Sequence, residues 1–196
     1  DIKDFTTDNI QINTPQINTT QPICQINIKH LCFSYFDDKP MLKNISATFN
    51  KNIIYSIIGP SGMGKTTFID LILQLLTPVS GNIEFISDNQ KISFSNINTF
   101  YMTQSPAIIT GTVRENLSYI SKTNEISDAQ LWEALGKVNL KSTFQNRDGL
   151  ETRITENGTN LSMGQRQRLA LARLFVSNYQ LVILDEFSNG IDNDSK

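Results

Sequence analysis

Gly59-Pro60-Ser61-Gly62-Met63-Gly64-Lys65-Thr66 is the stretch that decides the fold, and it matches the phosphate-loop pattern GxxxxGK(S/T) at every fixed position. The apolar run 53–58 before it predicts a buried strand, and the run 67–76 after it predicts a largely internal helix. Glycines let the backbone wrap around a phosphate, and the N–H groups of the loop and the helix N-terminus point at it. Strand, loop and helix together predict a nucleotide site.

The last two residues of the loop have defined chemical tasks. Lys65 would reach the β- and γ-phosphates, and the Thr66 hydroxyl would bind Mg²⁺. The alternative is a glycine turn with a chance lysine, which the flanking strand and helix disfavour.

The composition is that of an ordinary soluble globular protein of 196 residues, 39% hydrophobic and 18% charged. Its net charge of −2 argues against a nucleic-acid partner, which normally needs a basic excess. No apolar run approaches the roughly 18 residues that span a bilayer, and the first residues do not resemble a signal peptide. We therefore expect a cytoplasmic domain. Cys24 and Cys32 lack a metal-site spacing and are expected to be free thiols.

The amino-terminal half predicts an arm followed by strands. Residues 1–22 have the composition of a linker or arm, with an edge strand as the alternative. Two strands that could pair are predicted at 26–36 and 41–49, with a turn between them. The helix after the phosphate loop should end near Thr77-Pro78, because proline disfavours helical geometry at the residue before it. Further strands are predicted at 81–86 and 97–102.

The carboxyl-terminal half predicts helices and one more buried strand. Residues 111–150 have helical spacing, and a further helix is predicted from Ser162 to Val176. Leu181 to Leu184 reads as a wholly apolar strand, followed by Asp185 and Glu186. Alternating strands and helices around a buried parallel strand indicate an α/β core.

The Asp185-Glu186 pair has the chemistry of a Mg²⁺-dependent nucleotidase. Asp185 can hold the metal, and Glu186 can polarise the water that attacks the γ-phosphate. By itself such a pair is more often a solvated strand end, and the phosphate loop is what favours the catalytic interpretation.

The segment from Asn160 to Arg173 contains Leu161-Ser162-Met163-Gly164-Gln165, a Ser/Gly turn that caps a helix whose N-terminus can attract an anion. It closely resembles the LSGGQ signature of the ATP-binding cassette (ABC) ATPases. The resemblance implies an α/β P-loop NTPase core with an N-terminal antiparallel β-subdomain and an inserted α-helical subdomain at about 105–175. The ABC ATPase domain would span 23–196. In this family the signature binds the γ-phosphate held by a second cassette, so that two cassettes enclose two ATPs.

The resemblance extends to further positions. Tyr35 resembles the aromatic residue that stacks on adenine, with a core aromatic as the alternative. Gln104 resembles the glutamine of the Q-loop, which contacts Mg²⁺ and links the core to the helical subdomain. Residues 188–192 resemble the D-loop. Catalysis is thus assigned to Glu186, Lys65 and Gln104, and Mg²⁺ binding to Thr66, Gln104 and Asp185. The implied ATP contacts are Tyr35, Gly59, Ser61, Gly62, Met63, Gly64, Lys65, Thr66, Thr67, Gln104, Ser162, Gly164, Gln165 and Asp185.

Two segments resemble exporter cassettes in particular. Residues 109–117 follow the Q-loop as in exporters, and Glu156-Asn157-Gly158 resembles the exporter X-loop. The resemblance implies a transmembrane domain, expected earlier in the same full-length chain, and a position on the cytoplasmic face of the membrane. Residues 1–22 would be the end of the connecting linker.

The sequence departs from the family pattern in two places. Met163 replaces the first signature glycine, and we expect a working site, with a heterodimer that has one weakened site as the alternative. The family's switch histidine would lie beyond Lys196, and so would the last core strands. We therefore expect a C-terminally truncated fragment that binds ATP yet hydrolyses it poorly. His30 receives no role.

Other functional classes remain open at this stage. A soluble ABC-type ATPase of translation or DNA repair and a non-hydrolysing regulatory cassette are the alternatives. Arg166, Arg168 and Arg173 are interpreted as a solvated face, or one paired with carboxylates, rather than a nucleic-acid surface. Trp132 is expected to pack among the predicted helices.

Overall fold

A four-stranded antiparallel sheet forms in the amino-terminal half of the chain. The computed structural model describes residues 22–36, 39–119 and 126–185. The sheet has the order β2-β1-β3-β4, with bounds Gln25–Ser34 (β1), Pro40–Asn50 (β2), Ser80–Ser87 (β3) and Gln90–Ile92 (β4). Ile26, Ile28, Leu31 and Phe33 of β1 are buried on one face. The predicted pairing of the first two strands is confirmed.

Helix α1, Lys65–Ile72, packs its apolar side against this sheet. It ends earlier than the predicted stop near Thr77-Pro78. Gln74 adopts a left-handed conformation with φ of 55°. The amide of Leu75 donates to the carbonyl of Asp70, and the amide of Gln74 donates to that of Leu71. This is the Schellman arrangement that closes a helix, so local capping and not Pro78 ends α1.

The predicted strand at 53–58 is wrong for this structure. Residues 53–60 form no regular strand, and the side chains of Ile54 and Ile58 are 99% and 90% exposed. An apolar run is held as a strand by hydrogen bonds to a neighbouring strand. Within the described part of the chain, the parallel strands Thr99–Met102 and Leu181–Leu184 pair with each other and not with this segment.

A parallel pair lies at the centre of the described structure. Strand β5, Thr99–Met102, runs parallel to β8, Leu181–Leu184, so the two carboxyl ends lie side by side. Ile183 and Leu181 pack against the sheet cluster around α1, whereas Met102 and Leu184 belong to the helical cluster described next. The pair therefore joins the two halves of the molecule.

The remaining helices pack around a second hydrophobic cluster. They are α2, Val113–Ser118, α3, Asp128–Lys137, α4, Lys141–Gln145, and α5, Met163–Ala172. The short strands β6, Gly111–Thr112, and β7, Arg153–Ile154, pair beside them, and four 3₁₀ turns span Phe94–Asn96, Gly149–Glu151, Glu156–Gly158 and Arg173–Phe175. Thr112, Ser127 and Ser162 begin α2, α3 and α5 with reciprocal capping boxes. We call this cluster of buried side chains the helical cluster; it includes Val113, Leu117, Leu131, Leu135, Leu140, Phe144 and Leu169.

Trp132 and His30, two residues noted in the sequence, both make structural contacts. Trp132 packs against the helical cluster, as predicted. His30 has its Nδ1 2.8 Å from Asn44 Oδ1, so its ring is satisfied by structural contacts. No helix in the described ranges combines the length and apolarity needed to cross a bilayer.

Replacing Leu135 by alanine tests the helical cluster. Leu135 is fully buried on α3, so we expect a loss of about 2–5 kcal/mol in the free energy of unfolding, measured by urea titration. Leu75→Ala is the matched control, because Leu75 is largely exposed and its loss should cost less than about 1 kcal/mol. Equal losses in the two variants would contradict the assignment of the cluster.

Candidate nucleotide-binding site

The phosphate loop has the backbone that its glycines predict. Gly62 and Gly64 have φ of 79° and 88°, which other residues rarely adopt. A Cβ atom on Gly64 would lie 3.0 Å from Met41 Cγ and 3.2 Å from Leu42 Cδ2. Gly64 therefore serves both the turn and the close packing of α1 on β2. The loop residues Ser61 and Met63 are exposed, and Gly59 is partly buried.

The Lys65 side chain lies over its own loop. Its ammonium donates to the carbonyl oxygens of Gly59, at 2.8 Å, and of Pro60, at 3.0 Å. These acceptors are neutral, and a phosphate oxyanion forms the stronger, charge-assisted bond. The Lys65 ammonium is thus held beside the carbonyls of its own loop, where it would be available to a β- or γ-phosphate.

Thr66 and Asp185, two of the predicted Mg²⁺ ligands, are joined directly in the structure. Thr66 Oγ1 donates to Asp185 Oδ2 at 3.0 Å. The amide of Asp185 donates to the Met102 carbonyl at 2.8 Å, which fixes Asp185 at the carboxyl edge of the parallel pair. A hydroxyl and a carboxylate side by side are oxygen donors that fit a hard divalent cation.

Two further groups respond to the charge at this edge. Partial burial raises the pKa of Asp70 above its ordinary value, and the nearby charge of Asp185 raises it further. The pKa of Tyr101 is raised by burial and then by Asp185 and Asp70. Negative charge is therefore concentrated beside Thr66, and a bound cation would relieve it.

Gln104 follows β5 by two residues and is exposed at the same edge. Since Met102 bonds to Asp185, Gln104 begins its loop close to the Thr66–Asp185 pair. It also lines a cavity that the sequence did not predict. The cavity has a volume of about 520 Å³ and is lined by Gln104, Ser105, Pro106, Ala107, Ile108, Asn157, Thr159, Met163, Arg166 and Gln167.

Tyr35 lies beside the phosphate-loop helix. Its hydroxyl is 3.1 Å from Thr67 Oγ1, and its ring meets Phe33 edge to face with centroids 4.9 Å apart. Tyr35 is 52% exposed, which disfavours the alternative of a core aromatic.

The signature residues belong to a different part of the packing from the phosphate loop. Ser162 Oγ accepts from the amide of Gln165 at 3.1 Å, and Gln165 Oε1 accepts from the amide of Ser162 at 3.0 Å. Met163 is exposed and Gly164 is partly buried at the first turn of α5. Helix α5 packs in the helical cluster, whereas α1 packs on the antiparallel sheet. The chain therefore does not bring Ser162 and Gly164 to its own Lys65. Glu186 and residues 188–192 lie outside the described residues.

The arginines after the signature differ from their prediction. Arg173 is buried, and Arg166 donates to the carbonyl oxygens of Gly158 and Leu161. Arg168 has a buried Nε without a partner in the described ranges, and none of the ion pairs found there involves these three residues. A solvated or carboxylate-paired face is therefore wrong. The carbonyls that bind Arg173 come from residues distant in sequence, which explains why helical spacing alone missed them.

The raised pKa of Asp70 predicts a stability effect. Because the folded-state pKa lies above the unfolded value, ionisation of Asp70 favours the unfolded chain, and the penalty grows as the pH rises above the ordinary value of about 3.9. Asp70→Asn should raise the thermal midpoint at pH 7 in Mg²⁺-free buffer, and the gain should shrink on acidification. Asp148→Asn, at an exposed carboxylate, is the control. A lower midpoint for Asp70→Asn at pH 7 would refute the interpretation.

Known proteins match this fold and these motifs. The family profile described as ABC transporter matches residues 42–189. A multidrug resistance ABC transporter ATP-binding and permease protein of Lactococcus lactis is 34% identical over 177 residues, which are 87% of this chain and 30% of the relative. The microcin-J25 export ATP-binding/permease protein of Escherichia coli is 33% identical over 171 residues, 85% of this chain and 29% of its own.

A solved structure matches the fold as a whole. The structure of a bacterial Atm1-family ABC exporter with ATP bound superposes with a TM-score of 0.77 at 23% identity, over 90% of this chain and 31% of that chain. The chain thus spans about 30% of the length of the relatives it matches. With the phosphate loop joined to Asp185 in a P-loop NTPase fold, the chain belongs to the ABC transporter family, as one of its ATP-binding domains.

Proposed function

We propose that this chain binds and hydrolyses MgATP to power export across a membrane, as part of a longer exporter-type ABC transporter. The observation that carries the proposal is the hydrogen bond from Thr66 to Asp185, at the edge where Gln104 begins its loop. This bond supports a site in which the phosphate loop and a set of oxygen donors would act together. The names of the relatives, which are ATP-binding and permease proteins, support the link to transport.

The phosphates would bind over the loop from Gly59 to Thr66. Lys65 exchanges its carbonyl partners for the β- and γ-phosphates, and the amides at the start of α1 face the same charge. Tyr35 offers its exposed ring to adenine, beside Thr67. Thr66, Gln104 and Asp185 would hold Mg²⁺, which neutralises charge on the phosphates when bound.

Hydrolysis would use Glu186, the residue after Asp185. Glu186 accepts a proton from the attacking water, or orients that water, as the new oxygen–phosphorus bond forms at the γ-phosphate. The bond to the β-γ bridging oxygen breaks, and ADP and phosphate leave.

A second cassette would complete the site. Ser162 and Gly164 lie at the N-terminus of α5, which packs in a different cluster from α1, and they offer amides and a helix dipole suited to an anion. Two copies, or two different cassettes, could each offer this end of α5 to the γ-phosphate held by the other. Closure on ATP and reopening after hydrolysis would then drive the transmembrane domain.

The helical part from about 105 to 175 is proposed to be the subdomain that meets the transmembrane domain. The cavity beside Gln104 lies between the loop after β5 and the turn at Glu156–Gly158. The turn is one of the two segments whose sequences resemble exporters, and the other, residues 109–117, directly follows the loop that lines the cavity. A membrane partner seated there would touch the loop that begins at the nucleotide site.

Lys65→Ala tests the phosphate loop in the full-length protein. Losing the ammonium should weaken ATP binding by about tenfold or more, because a charge-assisted bond to phosphate contributes on the order of 1.5–3 kcal/mol. Binding is measured with a fluorescent ATP analogue and checked by competition with ATP. Lys141→Ala is the matched control, since Lys141 is exposed on α4. Equal affinity of Lys65→Ala and the wild type would overturn the loop assignment.

Glu186→Gln tests hydrolysis and association together. The substitution should lower turnover by about a hundredfold or more, the usual contribution of a positioned base, while ATP binding persists and holds two cassettes together. Phosphate release and size-exclusion chromatography with ATP measure the two effects. Glu133→Gln, at an exposed residue of α3, is the control. Unchanged turnover would remove Glu186 from this role, and a wild type that binds ATP without turnover would favour a regulatory cassette.

A further inference from the structure

A buried arginine holds the chain just beyond Gln104. Arg173 is 4% exposed and begins the turn directly after α5. Its Nη1 donates to the Ala107 carbonyl at 2.7 Å, its Nε to the Asn116 carbonyl at 2.8 Å, and its Nη2 to Asn116 Oδ1 at 3.1 Å. All three nitrogens of the guanidinium are therefore used, and each of these three acceptors is a neutral oxygen.

The side chain of Asn116 extends this network to the next residues of the loop. It is fully buried on α2, and its Oδ1 accepts from the amide of Ile109 at 3.0 Å. Its Nδ2 donates to the carbonyls of Ile109, at 2.9 Å, and of Thr112, at 3.0 Å. Arg173 and Asn116, which we call the latch, thus fix the backbone from Ala107 to Ile109 from two sides.

Helix α5 contacts the same loop at both of its ends. The latch lies at its carboxyl end, and Met163, Arg166 and Gln167 of its first turns line the cavity with residues 104–108. Ser162, the signature serine, caps its amino end. The ten residues of α5 span about 15 Å as one rigid rod, so a displacement of the loop at the latch reaches Ser162.

Packing alone does not explain the latch. A buried guanidinium without a carboxylate is costly, and apolar side chains of similar volume often replace buried charges without loss of stability. What an apolar residue cannot do is bind three oxygens from two separate segments in fixed positions. The guanidinium of Arg173 is therefore suited to holding these two segments in fixed relative positions.

We propose that Arg173 and Asn116 are positioning residues that hold the loop after Gln104 in register with α5. Because the loop and α5 then keep a fixed relative position, Gln104 reaches the bound nucleotide when Ser162 is placed for the second cassette. This inference rests on the proposed function, and neither residue touches the nucleotide.

Arg173→Lys in the full-length protein is the first test. Lysine keeps the charge but cannot bind the three oxygens with the fork of a guanidinium. We expect kcat for ATP hydrolysis to fall about 10- to 100-fold, the usual effect of a misplaced active-site group, with ATP affinity within about twofold of the wild type. Binding stoichiometry with the fluorescent analogue checks that the variant is folded. Arg147→Lys, at an exposed arginine, should leave kcat unchanged.

The same substitution in a Gln104→Ala background separates positioning from mere stability. If Arg173 acts through Gln104, Arg173→Lys should have no further effect on kcat there. An equal fall in both backgrounds, or a loss of ATP affinity with kcat unchanged, would overturn the proposal. Asn116→Asp keeps the shape of the side chain but removes its donor to Ile109, and it should give the same pattern. This variant replaces Arg173→Lys in the test if Arg173→Lys binds ATP below full stoichiometry. Absent turnover in the wild type would instead refute the proposed function, and the inference with it.

Discussion

The hydrogen bond between Thr66 and Asp185 is the contact on which the rest of the site depends. It joins residues 119 positions apart in sequence and brings the phosphate loop to the carboxyl edge of the parallel pair. Ligands of open α/β sheets bind at that edge. At this edge burial, and then the charge of Asp185, raise the pKa of Asp70 and of Tyr101, and the loop of Gln104 starts at the same edge. One oxygen-to-oxygen contact thus defines where a nucleotide and its cation would meet.

The second constraint is the rigid attachment of α5. Its N-terminus carries Ser162, and its carboxyl end is tied through Arg173 to the loop that starts at Gln104. The antiparallel sheet and α1 pack in one cluster and α5 packs in another, with the parallel pair between them. On the proposals above, a change at the nucleotide edge would reach the N-terminus of α5 through the hydrogen bonds of Arg173 and the helix itself.

Motifs with fixed spacing were predictable from the sequence because their chemistry is local. The glycine loop, the capping serine of α5 and the strand before Asp185 all lie where the residues indicate. Features set by distant neighbours were not predictable. Ile54 and Ile58 are exposed because no strand of the described sheet bonds their segment, and the partners of Arg173 come from a loop and a helix more than fifty residues away. Apolar or charged character alone does not reveal such partners.

The most direct test of the central claim is the Mg²⁺ dependence of ATP affinity in Asp185→Asn, measured in the full-length protein with and without the metal. If Thr66 and Asp185 hold one cation against the phosphates, the gain in affinity that Mg²⁺ gives the wild type should fall by about tenfold or more, in keeping with the loss of a carboxylate ligand. Without Mg²⁺, the ATP affinity of Asp185→Asn should equal or exceed that of the wild type. Thr66→Ser, which keeps the hydroxyl, should retain the gain in ATP affinity that Mg²⁺ gives. An undiminished Mg²⁺ effect in Asp185→Asn would contradict the account.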